Sequence, residues 1–239
     1  VCLQRIKDKQ GLMVSRKRLY KSLFAAGAFL AGLTLLGLAG CGGEASSQPA
    51  PGKADTVVSL APSMTEIVCA VGAADKLVGR STACDYPPEV VADIPVVGGF
   101  GKPSMEVLAS VQPDLVLYTD LADPVFRQKM RQLDLRLAYV RCQSVDDIAS
   151  AVQRVGRLVG HTAQAKALAE RLRSGISAYR EAVQSRSERP KVYVEIWNDP
   201  KTTVGGKSFV SDMVHLAGGR NIGDSVNKEY FRVSAEWVI

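Results

Sequence analysis

From residue 57 onward the chain alternates short β-branched or apolar runs with stretches of helical periodicity, and this alternation restricts the fold more than any other feature. "VVSL" (57–60) reads as a strand. It is followed by Ser63 to Glu66 in the spacing of a capping box, by Ile67, Val68 and Val71 on one helical face, and by Gly72 as a stop. "KLVG" (76–79) is the next strand, and the loop "ACDYPPEV" (83–90) and the segment "IPVVGGFGKP" (94–103) lead to a helix over 104–111. Then come the strand "LVLY" (115–118), a helix opening at Asp123-Pro124, the strand "LAYV" (137–140) and a helix that starts at Ser144. Ile148, Val152, Val155 and Val159 mark the buried face of that last helix up to Gly160. Strands that alternate with helices in this way predict an α/β domain with a mainly parallel sheet.

Residues 163–187 break the rhythm. Ala165, Leu168, Ala169, Leu172, Ile176, Tyr179 and Val183 form one stripe, and Lys166, Arg171, Arg173, Arg180 and Glu181 occupy the rest. At about 1.5 Å per residue the helix is too long for an ordinary crossover within one small sheet. "KVYVEIW" (191–197) then begins a new strand, and "SFVSDMVHLAGG" (208–219) a new helix ending in glycines. Two α/β lobes bridged by one helix is the simplest architecture. Since one strand cannot make a sheet, the second lobe is expected to be truncated, with further residues needed beyond 239.

The first forty residues belong to export rather than to the fold. "RKRLYK" (16–21) is a basic region, "SLFAAGAFLAGLTLLGLAG" (22–40) an apolar one, and Cys41 follows Leu38-Ala39-Gly40, which resembles a lipoprotein processing site. A retained membrane span is the competing reading of the apolar run. "GGEASSQPAPGKAD" (42–55) has the composition of a flexible tether, and Met13 is a better start than residue 1. The expected organisation is a signal over 1–40, a lipidated Cys41 and tether over 41–55, a first lobe over 56–160, a joining helix over 161–189 and a second lobe over 190–239. Residues 1–40 hold seven Lys and Arg against one Asp, so the formal charge of +6 resides there and the remainder balances. Without that excess, composition offers no support for a nucleic-acid partner.

Five cysteines, Cys2, Cys41, Cys69, Cys84 and Cys142, show neither CxxC nor zinc-ligand spacing. Cys69 reads as a core residue, and a disulfide between Cys84 and Cys142, each of which follows a predicted strand, is left open.

In an open α/β sheet, ligands bind outside the carboxyl ends of the strands. The loops there hold Tyr86 and Phe100 in the first lobe, and Trp197 and then Tyr230 in the second. Pro87 fixes its own φ and pushes Tyr86 toward an extended conformation, so the tyrosine stands on a stiff arm. Any one such aromatic can serve local packing; their joint placement on one rim suits a large, flat, partly apolar ligand. Reactive constellations are missing. "VGGKS" (204–208) resembles the end of a P-loop, but Lys201 stands where that motif needs its first glycine, and neither GxSxG nor HExxH occurs. His161 and His215 read as surface or packing residues, so the chain reads as a binder with no catalytic residues and no cofactor.

"VVSLAPSMTEIVCAVGAADKLVG", "CDYPPEV", "VGGFGKPSMEVLASVQPDLVL" and "HLAGGRNI" together resemble the cobalamin-binding proteins of vitamin B12 ABC importers, within the wider family of helical-backbone receptors for siderophores, haem and corrinoids. The resemblance implies two Rossmann-like lobes joined by a single long helix, the class III periplasmic-binding-protein type. It also implies a monomer, lipid-anchored on the periplasmic or extracellular face, that captures a corrinoid between its lobes and delivers it to an ABC permease dimer. Tyr86 and Phe100 would face the corrin. "FGKPSMEVL" (100–108) and "FRVSAEWVI" (231–239) echo each other, with Ser104 and Ser234 as helix caps and Glu106 and Glu236 in the first turns. In the resembling family these glutamate positions dock to arginines on the two transmembrane subunits. Thr119-Asp120 stands where some cobalamin binders carry a further aromatic, so a ferric-siderophore or haem receptor remains an alternative, as does an enzyme or assembly factor of the same fold.

Overall fold

The computed structural model describes residues 52–119 and 124–238. Its first part is built on a six-stranded sheet of order β4-β3-β2-β1-β5-β6, comprising β1 (Val57–Ser59), β2 (Leu77–Ser81), β3 (Val96–Gly99), β4 (Lys102–Pro103), β5 (Leu115–Tyr118) and β6 (Leu137–Tyr139). All neighbours are parallel except β4, which turns back antiparallel on β3. Successive side chains of a strand point to opposite faces, and here both faces are covered. Val57, Leu115 and Leu117 pack with Met64, Val68, Val152 and Val155 on one side, and Val58, Val97, Val116 and Tyr118 with Leu108 and Met130 on the other. A doubly covered parallel strand needs a continuous apolar run, which is why "VVSL" and "LVLY" do not alternate.

The crossover helices are α1 (Pro62–Ala70), α2 (Pro88–Val91), α3 (Met105–Val111), α4 (Pro124–Gln132) and α5 (Asp147–Leu158). Ser104 caps α3 as its spacing predicts, its Oγ accepting the Val107 N–H at 3.3 Å. The expected capping box at Ser63 does not form. Pro62 takes the first helical position, Ala61 becomes the cap without a side-chain bond, and Ser63 lies inside the helix. Likewise α5 begins at Asp147 and not at Ser144, because the Asp147 carboxylate reaches back to the N–H groups of Gln143 and Ser144 at 2.8 and 2.9 Å. Those two bonds spend residues 143–146 on a turn.

After α5 the chain enters α6 (Thr162–Gln184), a helix of 23 residues and so about 34 Å long. The two helices meet closely at Gly156, where a Cβ would collide with that of Ala165. Beyond α6 lie β7 (Lys191–Val192), β8 (Glu195–Asn198), β9 (Lys201–Val204), α7 (Phe209–Leu216), β10 (Arg220–Asn221), β11 (Tyr230–Arg232) and α8 (Ala235–Val238). The single strand expected over 191–197 is two strands in different sheets. β7 pairs parallel with β10, whereas β8 pairs antiparallel with β9, which also takes β11 on its other edge. Ser208 caps α7 through the Ser211 N–H at 3.0 Å, and Gly218 ends it at a φ of 88°.

Candidate functional site

The carboxyl ends of β2 and β3, adjacent in the sheet, carry the first two aromatic candidates. Tyr86 stands in the loop after β2 and is 46% exposed; Phe100 tips the β3–β4 hairpin and is 51% exposed. The two loops are tied directly, since Thr82 N–H donates to the Gly98 carbonyl at 2.9 Å. Glycine is required at 98, where φ is 138° and a Cβ would fall 2.7 Å from both the Pro103 Cα and the Ser104 nitrogen. The "GGFG" run is thus the condition for placing an aromatic on so tight a hairpin.

The Tyr86 loop is held by a residue that the sequence reading does not single out. Arg80, on β2, donates from Nε to the Val91 carbonyl at 2.8 Å and from Nη1 to the Cys84 carbonyl at 3.0 Å, stitching the loop to α2. Cys84 is fully buried beneath it, its Sγ 3.2 Å from the Ser81 Oγ. Pro87, preceded by a cis peptide bond, caps α2. Tyr86 is therefore presented outward from a loop fixed on both sides.

Trp197 and Tyr230 are expected on loops but stand on strands. The β-prone run Lys201–Val204 pairs with both flanking segments, Trp197 opposite Thr202 and Tyr230 opposite Val204, and draws each into the three-stranded sheet. Two positions apart along β9, their partners share a face of the sheet. Trp197 is 65% and Tyr230 47% exposed, and the Trp197 indole donates to the Asp199 carbonyl at 2.8 Å.

Two contacts bridge the first part of the chain to the second near these residues. Arg141, just past β6, pairs with Glu229, and Val145 N–H donates to the Asp212 carboxylate at 2.6 Å. Beside the second contact a groove of about 400 Å³ is lined by Gln143, Ser144, Lys207, Ser208, Asp212 and His215. Both candidate docking glutamates are exposed in helical first turns, Glu106 on α3 and Glu236 on α8. A hydrogen bond with the Ser234 side chain holds the Glu236 carboxyl below the usual range.

The remaining candidates take structural places. His161 Nδ1 lies 3.0 Å from the Val71 carbonyl, and His215 Nε2 lies 2.7 Å from Asp224, whose other oxygen accepts the Ser211 hydroxyl. Cys69, Cys84 and Cys142 are free thiols, and burial raises the pKa of Cys69 and of Cys142. Among the described residues no group of three His, Cys, Asp or Glu side chains is arranged to hold a metal ion, and no helix is long and apolar enough to cross a membrane. Cys41 and Asp120 lie outside the described residues.

Comparison with known proteins converges on one family. The description "Periplasmic binding protein" matches residues 57–239. A vitamin B12-binding protein of Vibrio parahaemolyticus is 28% identical over 186 residues, covering 77% of this chain and 67% of its own length. Among solved structures, the periplasmic vitamin B12 binding protein of Vibrio cholerae superposes with a TM-score of 0.68 at 26% identity, over 77% of this chain and 72% of that one. A periplasmic heme-binding protein from Roseiflexus does so with a TM-score of 0.69 at 27% identity, over 79% and 73%. The chain therefore belongs to the periplasmic binding protein family, with the two-lobed class III fold of the corrinoid, haem and siderophore receptors, and is an exported substrate-binding protein and not an enzyme.

Proposed function

We propose that this protein is a lipid-anchored receptor that captures a corrinoid, cobalamin in the first place, in the cleft between its lobes and hands it to an ABC permease dimer. The observation that carries the ligand class is the set of four aromatic side chains, Tyr86, Phe100, Trp197 and Tyr230, each about half exposed or more at strand ends or edges of the two lobes. Aromatic faces kept out in water cost hydrophobic stabilisation, and a flat macrocycle that covers them returns it. Because Arg80 and the Thr82–Gly98 bond already fix the Tyr86 and Phe100 loops, little ordering entropy is lost on capture. The vitamin B12-binding relatives support the same choice.

In this reading residues 1–40 direct export, Cys41 carries the lipid and residues 41–55 tether lobes over 56–160 and 190–239 that the segment 161–189 joins. Glu106 and Glu236, one per lobe, dock to cationic sites on the two permease subunits.

Titration of the purified full chain with cyanocobalamin, followed by intrinsic fluorescence, tests the reading. Saturable binding at a one-to-one ratio is expected. A haem or siderophore receptor is the second reading, favoured by the equal structural likeness to the Roseiflexus protein; a shifted Soret band with haemin and no response to cyanocobalamin would establish it instead.

A further inference from the structure

The joining helix α6 packs against α5 of the first lobe and α7 of the second, and polar contacts add further points of attachment between the lobes. Asp212, on α7 of the second lobe, supplies one by accepting the Val145 N–H at 2.6 Å. The next residue, Asp146, pairs through both oxygens with Nη1 and Nη2 of Arg180 at 2.9 and 2.7 Å, and Arg180 stands on the joining helix α6. The turn that receives these contacts is itself fixed by the bonds from Gln143 and Ser144 to Asp147. The step 145–146 thus receives the Asp212 carboxylate of the second lobe at Val145 and offers its own Asp146 carboxylate to a guanidinium of the connecting helix. The hydrogen bonds to Asp146, with the charges of Asp146 and Asp212, raise the Arg180 pKa further above its ordinary value. Next to this knot lies the groove of about 400 Å³, with Ser144 from one lobe and Asp212 from the other in its lining.

We propose that Asp212 and Arg180 are positioning residues that set the angle between the lobes, and with it the width of the ligand cleft, before any ligand arrives. Asp212 fixes the second lobe to the opening turn of α5, and Arg180 fixes that turn to α6. A cleft preset in this way loses less freedom when it is filled. The consequence for affinity rests on the corrinoid reading; the angle itself does not.

The test compares the full-length chain with Asp212→Ala, which removes the acceptor, Asp212→Asn, which keeps an oxygen for the Val145 N–H, and Arg180→Met. Spin labels at Ser110→Cys and Lys228→Cys, with the native cysteines replaced by serine or alanine, report the inter-lobe distance by pulsed electron resonance. Wild type and Asp212→Asn are expected to give one narrow distribution, and Asp212→Ala and Arg180→Met one at least about twice as wide. Cyanocobalamin affinity is expected to fall about tenfold in Asp212→Ala and to return in Asp212→Asn, the scale of one lost charge-assisted hydrogen bond. Should Asp212→Ala not fold, Arg180→Met carries the same comparison. Distributions as narrow as wild type in the folded variants overturn the proposal. A wild type that binds no cyanocobalamin removes the corrinoid reading, while the distance widths still decide the role of the knot.

Discussion

Arg141, two residues past the edge strand of the six-stranded sheet, pairs with Glu229, the residue ahead of Tyr230 on β11. The ion pair joins the rim of one lobe to the strand that carries an aromatic candidate of the other. With each side chain about a third exposed, it contributes no more than about 1 kcal/mol. Glu229→Gln keeps the shape and removes the charge. The variant is expected to lose up to that amount in urea unfolding at low salt, and the difference from wild type should shrink as salt rises. A loss that does not change with salt would mean that packing, and not charge, holds the contact.

The aromatic rim can be tested apart from stability. Tyr86→Ala and Phe100→Ala remove half-exposed side chains, so each is expected to leave unfolding within about 0.5 kcal/mol of wild type. Each should weaken cyanocobalamin binding by about 1 to 3 kcal/mol through the lost ring face. Undiminished affinity in the double variant would place the corrin elsewhere.

What could be read in the sequence divides along the range of the interaction. Apolar runs such as 57–60 and 115–118, the Ser104 cap and the long stripe of α6 are local signals, and each produced the element it predicts. Strand pairing in the second lobe is not local. Nothing in "KVYVEIW" announces that Lys191 and Val192 pair with β10 while Glu195–Asn198 pair with β9, because the partners lie downstream and decide the break. For the same reason Trp197 and Tyr230 are on strands where loops are expected. Arg80 and Asp212 carried no motif either: the Val91 carbonyl that Arg80 reaches lies 11 residues away, and the N–H that Asp212 accepts lies 67 residues away. The aromatic candidates stand out in the sequence because flat side chains among prolines and glycines are unusual in themselves; Arg80, which holds the Tyr86 loop, does not.

Acid stability should depend on Asp114. Its Oδ2 accepts the N–H groups of Thr56 at 2.8 Å and Asp55 at 2.9 Å, fastening the start of β1 to the start of β5. These bonds, Thr56 first, hold the carboxyl below the usual carboxylate range, with the Thr56 hydroxyl adding to them. A depressed folded pKa gives stability that is fully present above the unfolded value of about 3.9 and is lost as pH falls through the folded one. Asp114→Asn is expected to be about 1 kcal/mol less stable than wild type at neutral pH, discounted for its exposure, and equal to it in strong acid. Parallel pH profiles for the two proteins would rule out Asp114 as the acid-sensitive group.

The proposed lipid anchor would turn on one thiol outside the described residues. If Cys41 carries the lipid, Cys41→Ser leaves an unprocessed, unlipidated chain that shifts from the detergent phase to the aqueous phase, or stays at its precursor mass, on fractionation of expressing cells. Normal partitioning and mature mass in that variant would assign the anchor to another segment.

In the proposed role, docking to a permease would rest on Glu106 and Glu236. Each stands exposed in the first turn of a helix, α3 in one lobe and α8 in the other, where a carboxylate also complements the helix dipole. That local benefit alone explains an acid at either position, so stability cannot separate the two roles. Charge complementarity can. An arginine fork on each transmembrane subunit suits a single exposed carboxylate, and two such pairs at matched places on the lobes would orient the receptor. Glu106→Arg combined with Glu236→Arg is expected to bind cyanocobalamin as wild type does, yet to lose ligand uptake in vesicles reconstituted with the permease. Association of the wild type should weaken steadily with salt, and the variant should show no such dependence. Undiminished uptake by the double variant would reduce both glutamates to helix-cap residues and move the docking surface elsewhere on the lobes.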